Sequence, residues 1–452
     1  MTINSSIFKS YDVRGIYPQD FNEEIASKIT EAFIKVFSLK KAVLAKDVRE
    51  SGPRLYDSIK DTFLKKGVDL IDVGTVSTDM FYFAVGSNDV DGGLTISASH
   101  NPREWNGMNF SKKNAEPISS ETGLSDIKQL VLDNFSLPDA KIPGKIQEKD
   151  ITDDFVKKSL SFIDLSRLKP KKIVANANFG LDVVVLKKAI EKFNLPLDLV
   201  PLNENPDGTF PKGPPNPLLP ENRKEFLGLI KKENADFGVS WDADGDRCFF
   251  ADEKGNFIEG YFMTAILAKE ILKKEKGGKV VIDPRLVWAT SEEIRKSGGI
   301  PIVCKPGMTI IADKMKSEDA VFAGEMSSHF YFRENYYRDN GFIPLFLVWQ
   351  ILSEQETTLS ALAYPYTSKY FTPGELNFET ERKDEIIKAA EDKYSNGKIE
   401  HIDGLSVEYS DWRFNLRKSN TENLLRLNLE ARSKDLMEEK KKELESFIKS
   451  YD

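Results

Sequence analysis

Residues 95–110 read TISASHNPREWNGMNF and contain Ser, His, Asn, Pro and Gly in close succession. They follow the short apolar run 92–94, so a strand is expected to end where a cluster of turn-forming residues begins. Open α/β sheets bind their ligands in loops of this kind, at the carboxyl ends of strands. Ser99 is therefore the candidate reactive group, with His100 and Asn101 beside it.

The pattern of an apolar strand that runs into a polar loop recurs along the chain. Strand–helix units begin at Ala42, Lys171 and Lys279, and each is paired with a later strand. The loops that follow these later strands are SASHNP (97–102), DADGDR (242–247) and GEMSSH (324–329). This repeat predicts three similar α/β domains with mixed sheets, each sending one loop to a shared centre. Residues 376–452 combine helical and strand patterns and predict a smaller C-terminal α+β domain.

Proline and charge patterns suggest where these domains end. Residues 137–149 are rich in proline and charge, as a linker is, and residues 364–375 are interrupted by prolines. Strand-and-loop units are assigned to the segments between them. We therefore expect domains at residues 1–145, 146–252, 253–365 and 366–452.

Composition excludes several classes of protein. The 452 residues include 64 Lys and Arg against 72 Asp and Glu, a net charge of −8 that argues against general nucleic-acid binding. The two cysteines, Cys248 and Cys304, lack metal-ligand spacing and make a disulfide framework improbable. No signal-peptide pattern opens the sequence, and its most membrane-like run, 341–352, is too short to span a bilayer. We expect a cytoplasmic protein with no nucleic-acid or membrane partner.

The DADGDR loop carries three carboxylates at alternate positions, Asp242, Asp244 and Asp246. Carboxylates this close repel one another unless a cation or basic groups neutralise them. Hard oxygen ligands in a short loop suit Mg²⁺, or else Mn²⁺ or Ca²⁺. An EF-hand is the sharpest alternative because Glu253 falls at its twelfth position, but Arg247 stands where that loop needs glycine. A solvated acidic turn is the other alternative.

The GEMSSH loop offers a carboxylate, a hydroxyl and an imidazole on Glu325, Ser327 and His329. These groups suit hydrogen bonds to neighbouring sugar hydroxyls. Serine and glutamate are also good helix-capping residues, so a capped turn is an equal alternative.

The stretch LRKSNTENLLR (416–426) combines an arginine, hydroxyls and an amide with a possible helix start. Backbone N–H groups, hydroxyls and a guanidinium fork are what a phosphate dianion requires. An ordinary helix N-cap is the alternative that spacing alone favours.

The order of eight motifs is far more specific than any one of them. They are YDVRG, KDVRESG, SASHNPREWNG, NPDGTFPKGPPNPLLPE, DADGDRCFFADEKG, DPRLVW, GEMSSHFYF and DWRFNLRKSNTE. Together they cover nearly the whole chain and resemble the α-D-phosphohexomutase family, within it the bacterial phosphomannomutases. The resemblance implies four domains around a central cleft and a monomer or homodimer.

The resemblance also implies roles for individual residues. Ser99 matches the serine that is phosphorylated in the active form. The phosphoserine and Asp242, Asp244 and Asp246 match the ligands of one Mg²⁺ per chain. The other residues near the reacting phosphate are His100, Arg247, Arg14 and Lys9. The substrate-binding residues are Arg285, Glu325, Ser327, His329, Arg417, Ser419, Asn420, Thr421 and Arg426.

The implied reaction interconverts mannose 6-phosphate and mannose 1-phosphate. Phosphorylated Ser99 donates its phosphoryl group to the sugar, and the resulting hexose 1,6-bisphosphate, which also serves as activator, turns around and returns the other phosphoryl group. Positioning and charge neutralisation carry most of such a transfer.

Three residues depart from the family pattern at important places. Asn109 and Met308 replace a lysine and a histidine that could move a proton, and Ala312 replaces a second lysine. The milder departures are Ser97 for threonine and Asn423 for proline. A working mutase that uses other groups, a slowed or glucose-preferring mutase, and a non-catalytic sugar-phosphate-binding protein all stay open. Candidates for the missing acid/base group are Lys112, Lys113 and Lys305.

Overall fold

The protein is described by a computed structural model over residues 3–419 and 423–451. The chain divides into two compact units. The first comprises Met1–Phe257 and His329–Leu359, and the second comprises Ile258–Ser328 and Ser360–Asp452.

The first unit opens with a six-stranded mixed sheet in the order β1-β5-β4-β2-β3-β6. Its elements are β1 (Asp12–Ile16), α1 (Glu23–Phe37), β2 (Lys41–Lys46), α2 (Gly52–Lys65), β3 (Asp69–Thr75), α3 (Thr78–Ser87), β4 (Gly92–Ile96), β5 (Trp105–Lys112), α4 (Leu124–Leu132) and β6 (Ile146–Glu148). Strands β6, β3, β2 and β4 are parallel, and β5 and β1 continue the sheet antiparallel.

Local sequence explains how β4, which leads to Ser99, is held. Every residue of β4 is buried, as expected for a strand covered on both faces. A Cβ atom on Gly93 would lie 2.6 Å from Cγ2 of Val85, so only glycine allows α3 to pack this closely on the strand. Earlier in the chain, the side chain of Asn22 caps the N-terminus of α1 by accepting a hydrogen bond from the Ile25 N–H.

A second sheet in the same unit has the order β11-β10-β9-β7-β8. Its elements are α5 (Thr152–Leu160), β7 (Lys171–Asn176), α6 (Asp182–Phe193), β8 (Leu197–Leu202), α7 (Pro220–Glu233), β9 (Phe237–Trp241), β10 (Cys248–Asp252) and β11 (Phe257–Ile258). Strands β8, β7 and β9 are parallel, and β10 returns antiparallel to β9.

The second unit begins with another α/β layer. Its elements are α8 (Gly260–Lys274), β12 (Lys279–Ile282), α9 (Trp288–Lys296), β13 (Ile300–Val303), α10 (Met308–Glu318) and β14 (Phe322–Gly324). Strands β13, β12 and β14 are parallel. The chain then contributes β15 (Phe330–Phe332), β16 (Arg338–Asp339) and α11 (Phe342–Gln355) to the first unit before α12 (Leu359–Thr367).

The chain ends in an antiparallel sheet with the order β17-β21-β20-β19-β18. Its elements are β17 (Leu376–Glu379), α13 (Lys383–Lys393), β18 (Lys398–Glu400), β19 (Leu405–Glu408), β20 (Trp412–Lys418), β21 (Leu424–Ala431) and α14 (Lys434–Lys449). Short 3₁₀ helices lie at Ser5–Ile7, Lys113–Ala115, Ser120–Thr122, Leu165–Arg167 and Arg333–Asn335.

The predicted fold class, three α/β domains and a C-terminal α+β domain, is confirmed. The parallel triplets β3-β2-β4, β8-β7-β9 and β13-β12-β14 share one topology, and β4, β9 and β14 lead into the three predicted loops. The 341–352 run is the buried helix α11, and no helix in the described residues is long and apolar enough to cross a membrane.

One local prediction was wrong. No helix begins in the described residues of 416–426: β20 runs to Lys418, β21 starts at Leu424, and the two strands pair antiparallel. Within the linker expected at 137–149, the short strand β6 pairs with β3 at the sheet edge.

Candidate active site

Ser99 lies three residues after the end of β4 and is 6% exposed. Its backbone has a φ of 49°, a left-handed conformation that is uncommon for serine. The Ser99 N–H donates to Oγ of Ser97 at 2.9 Å. The Ser99 Oγ lies 3.0 Å from Nδ1 of His100 and 3.4 Å from Oδ2 of Asp242. The loop therefore brings the predicted reactive hydroxyl to the edge of the acidic loop.

The three aspartates of the DADGDR loop converge after β9. Carboxylate oxygens of Asp242, Asp244 and Asp246 all lie within 4.8 Å of one another, and all three residues are buried. In the described part of the chain, one oxygen each of Asp244 and Asp246 has no hydrogen-bond donor. A set of hard, buried and partly unsatisfied oxygens fits a divalent cation such as Mg²⁺.

The pKa values of these carboxyls reflect their crowding. Burial, followed by repulsion from Asp246 and Asp244, raises the pKa of Asp242 well above its usual range. Burial and Asp246 raise the pKa of Asp244 to about 6. Burial also opposes ionisation of Asp246, but the nearby His329 and Arg247 lower its pKa. Without a cation, this loop therefore retains protons that an ordinary aspartate would release.

Arg247 lies between two imidazoles. Its Nε donates to Nε2 of His329 at 3.2 Å, and one of its terminal nitrogens lies 3.0 Å from Nδ1 of His100. A guanidinium can only donate, so Nδ1 of His100 accepts and the His100 ring is held as a neutral tautomer. Burial and then the charge of Arg247 lower the pKa of His100 well below its usual value. His100 is thus a hydrogen-bond acceptor beside Ser99.

The two N-terminal candidates differ in their surroundings. Arg14 pairs with Asp12 at 2.8 Å and donates to Oδ1 of Asn101 at 2.7 Å, which ties it to the Ser99 loop. Burial would lower the pKa of Arg14, but the charge of Asp12 raises it, so Arg14 is a permanent cation. Lys9 donates to the Ser6 carbonyl at 2.7 Å.

Asn109, one of the three departures from the family pattern, is hydrogen bonded within the first unit. Its Nδ2 donates to the hydroxyl of Tyr82 at 2.8 Å. The guanidinium carbon of the fully buried Arg338 lies 3.4 Å from the centre of the Tyr82 ring. A buried cation, aromatic ring and amide therefore form one continuous contact at this position.

The second unit contains the remaining predicted substrate-binding residues that the structure describes. Oε1 of Glu325 accepts the Gly307 N–H at 3.2 Å, so the loop before α10 fixes this carboxylate. Ser327 follows on the same loop, and Met308 is the first residue of α10. His329 belongs to the first unit, so the GEMSSH loop divides its side chains between the two units.

Three arginines of the second unit converge on Glu375. Terminal nitrogens of Arg417 and Arg426 each lie 3.2 Å from a Glu375 oxygen, and one of Arg285 lies 3.7 Å away. Arg417 and Arg426 are directly opposite each other on β20 and β21. Burial opposes ionisation of Glu375, but the three guanidinium groups lower its pKa. Such a cluster of forked donors can bind a phosphate group.

The tip of this hairpin is only partly described. Ser419 donates its N–H to the Leu424 carbonyl at 2.9 Å. Asn420 and Thr421 lie outside the described residues, and their predicted role in phosphate binding stays a prediction.

Sequence reasoning missed several residues at these sites. Asp339 has an oxygen within 4.8 Å of ligand atoms of Asp246 and His329, so these three form a second group able to hold a metal ion. Glu375 was also missed, because it stands at the end of the proline-interrupted stretch 364–375, which was interpreted only as a domain boundary. Neither Asp339 nor Glu375 lies in a cluster of catalytic or ligand-binding residue types in the sequence, so only their positions in the fold indicate a role.

Comparison with known proteins gives four consecutive family matches. Models described as phosphoglucomutase/phosphomannomutase alpha/beta/alpha domains I, II and III match residues 5–136, 153–255 and 259–370, and the model of the C-terminal domain matches 375–446.

Individual proteins agree with these models over nearly their whole length. The chain is 40% identical to the phosphohexose mutases of Xanthomonas campestris pv. campestris over 446 residues, 98% of this chain and 99% of the relative. It is 38% identical to the phosphomannomutase of Escherichia coli strain K12, covering 94% of each chain. A crystal structure of a phosphoglucomutase/phosphomannomutase family protein from Burkholderia thailandensis superposes with a TM-score of 0.89 at 28% identity, covering 99% of this chain and 98% of that one.

These findings define the protein as a mutase, an enzyme of the isomerase class. The chain belongs to the phosphoglucomutase/phosphomannomutase family, as its motifs predicted.

Proposed function

We propose that the protein interconverts mannose 6-phosphate and mannose 1-phosphate through a phosphorylated Ser99. The observation that carries this proposal is the contact of the Ser99 Oγ with both His100 and Asp242, next to Arg247. A buried hydroxyl among permanent cations and carboxylates suits a residue that carries a phosphoryl group.

In the proposed cycle, the bond between phosphorus and the Ser99 oxygen breaks as a hydroxyl oxygen of the sugar phosphate bonds to phosphorus. The sugar hydroxyl loses its proton, and the Ser99 oxygen ends the step as a hydroxyl. The product is a hexose 1,6-bisphosphate, which also activates the unphosphorylated enzyme. After the bisphosphate has turned around, Ser99 takes the other phosphoryl group back.

The residues of the first unit are proposed to handle charge in this transfer. Asp242, Asp244 and Asp246 would hold one Mg²⁺ together with the phosphorylated serine, and the ion would supply neutralisation of phosphate charge. Arg247 and Arg14 hold permanent positive charge near Ser99. Neutral His100 accepts a hydrogen bond there and adds no charge.

The residues of the second unit are proposed to bind the sugar phosphate. The phosphate that does not react would bind to the arginine cluster, and Glu325 and Ser327 would read sugar hydroxyls. Arg285, Arg417 and Arg426 already surround one carboxylate, so their geometry suits an anion. The relatives named phosphomannomutases support mannose as the sugar.

Three wider features are also proposed. The domain limits are 1–145, 146–252, 253–365 and 366–452. The protein acts on small hexose phosphates as a monomer or homodimer. A cytoplasmic location is supported by two free, buried cysteines, Cys248 and Cys304.

The test is a coupled assay with mannose 1-phosphate and glucose 1-phosphate, Mg²⁺ and a trace of hexose 1,6-bisphosphate. We expect turnover of mannose 1-phosphate and its loss in Ser99→Ala. The matched control is Ser111→Ala, because the hydroxyl of this buried serine of β5 donates to the Glu116 carbonyl at 3.3 Å.

The outcomes separate the alternatives. Higher kcat/KM with glucose 1-phosphate would make the protein a glucose-preferring mutase, which the replacement of Lys and His by Asn109 and Met308 allows. Lack of turnover of either sugar phosphate, with Ser99 confirmed as phosphorylated and Mg²⁺ present, would refute the mutase proposal and favour a protein that only binds sugar phosphates. Near-normal turnover by Ser99→Ala would refute the phosphoserine cycle.

A further inference from the structure

One buried arginine, Arg49, donates hydrogen bonds to several backbone carbonyls of the loop that carries Ser99. Arg49, in the KDVRESG motif after β2, is 1% exposed. Its Nη2 donates to the carbonyls of Ser99 at 2.6 Å and Asn101 at 2.8 Å. Its Nη1 donates to the carbonyls of Pro102 at 2.9 Å and Trp105 at 3.0 Å.

The fifth N–H of Arg49 is engaged as well. Nε donates to Oδ2 of Asp47 at 3.2 Å, and this carboxylate also accepts the Arg49 backbone N–H at 2.9 Å. A guanidinium has five N–H bonds in a fixed plane, and here each has an acceptor. Lysine offers three donors from a single point and cannot reach these acceptors together.

A separate segment of the first unit covers Arg49. Gly208 of the NPDGTFPKGPPNP motif makes a parallel backbone bridge with Arg49. A Cβ atom on Gly208 would lie 2.1 Å from the Val48 carbonyl oxygen, so only glycine permits this approach. Two residues later the Phe210 ring lies 5.0 Å from the Arg49 guanidinium carbon. This motif is otherwise without a role in the proposed cycle.

We propose that Arg49, covered by residues 205–210, is a positioning residue that holds Ser99 in register for phosphoryl transfer. Ser99 has a left-handed backbone, which is unfavourable for an L-residue and persists only where neighbouring contacts impose it. Arg49 imposes it by binding the Ser99 carbonyl together with those of the following residues. The inference rests on the proposed phosphoserine cycle.

The consequence falls on the transfer step and not on sugar binding. Phosphoryl transfer depends on in-line alignment, and a displacement of about 1 Å lowers a rate by about 100-fold. All five N–H groups of the Arg49 guanidinium donate to Asp47 or to the carbonyls of residues 99–105, so its contacts act on the Ser99 loop.

The experiment measures single-turnover transfer from phosphorylated enzyme to mannose 1-phosphate in Arg49→Lys. This rate constant does not depend on the fraction of enzyme that is folded, so it separates positioning from a loss of stability. We expect a fall of about 100-fold, with KM for the sugar phosphate changed by less than about threefold. Guanidinium added to Arg49→Gly should restore part of the rate.

Arg223→Lys is the matched control. Arg223 also donates to two backbone carbonyls, those of Pro217 at 2.6 Å and Leu218 at 2.8 Å, and has an aromatic ring, Phe257, at 3.6 Å. Both of these carbonyls lie outside the Ser99 loop. Its transfer rate should stay within about twofold of the wild-type rate, since its carbonyl partners play no part in alignment.

Several results would overturn the inference. An Arg49→Lys transfer rate within about twofold of wild type, with Ser99→Ala inactive, would refute the role of Arg49 and leave the phosphoserine cycle standing. Turnover by Ser99→Ala would refute both. If Arg49→Lys does not fold, Phe210→Leu decides, because it removes the ring that packs on the Arg49 guanidinium while Arg49 itself is kept. We expect slower transfer in that variant, and an unchanged transfer rate would overturn the inference.

Discussion

Removal of divalent cations should destabilise the unit that contains Ser99, and the loss should grow with pH. Without a cation, three buried carboxylates share a space in which their oxygens lie within 4.8 Å. Asp244 responds by keeping its proton up to a pKa of about 6, against 3.8 for an ordinary aspartate. Bound Mg²⁺ would favour the ionised carboxylates, so Asp244 would no longer keep its proton at these pH values.

The sign and size follow from linkage. A carboxyl whose pKa is raised by folding keeps a proton that the unfolded chain has already released, so stability falls as pH rises between the two values. For Asp244 this window runs from 3.8 to about 6. Each pH unit costs about 1.4 kcal/mol, which gives about 3 kcal/mol across the window. Burial also raises the pKa of Asp242 well above its usual range, so this carboxyl adds to the loss of stability. The pKa of Asp246 is lowered, so its effect on the free energy of unfolding changes only at more acidic pH.

The assay is calorimetric unfolding in Mg²⁺ and in chelator at several pH values. The difference in Tm should widen by about 6 °C between about pH 4 and about pH 6, at about 2 °C per kcal/mol for a unit of this size. Asp252→Asn is the control, since Asp252 is buried on β10 and accepts hydrogen bonds from Lys254 and Asn256 of the turn that follows. That variant should show the same widening. A Tm difference that is absent, or that stays constant with pH, would refute the account of the acidic loop.

Three further predictions concern turnover. Arg417→Lys should raise KM about 10-fold, because a point charge replaces a fork that binds two oxygens; an unchanged KM in initial-rate assays would exclude Arg417 from phosphate binding. His100 is held neutral by burial and Arg247, so the acid limb of the kcat/KM profile should lack a group titrating near pH 6.5, and His100→Asn should not shift that limb. Asn109→Lys combined with Met308→His should raise kcat at least about 10-fold if proton transfer limits the rate, whereas an unchanged kcat would mean that other groups already serve.

The three loops were predictable because local sequence determines them. An apolar run followed by turn residues ends a strand wherever it occurs, and Asp242, Asp244 and Asp246 stand close together within seven residues of sequence. The parallel pairing of β2 with β4, of β7 with β9 and of β12 with β14 follows from the same repeated sequence pattern.

The remaining site residues were not predictable because distant contacts determine them. Glu375 lies 42 residues before Arg417 and 51 before Arg426 in the sequence, and only the pairing of β17, β20 and β21 brings them together. Arg49 stands in a recognisable motif, but four of its five acceptors are set by the conformation of residues 99–105. The possible helix start within 416–426 failed for the opposite reason: cap-like residues are equally suited to a hairpin, and the pairing of β20 with β21 decides between them.

Glu375 gives the arginine cluster a resident anion of its own. A sugar phosphate that reaches Arg285, Arg417 and Arg426 must exchange with this carboxylate, so the free energy of binding is the difference between two anions and not the full attraction of three cations. Such an internal competitor shortens the lifetime of the bound phosphate. In the proposed cycle the bisphosphate must dissociate and bind again with its ends reversed, and a phosphate site that is selective in shape but limited in affinity favours that step.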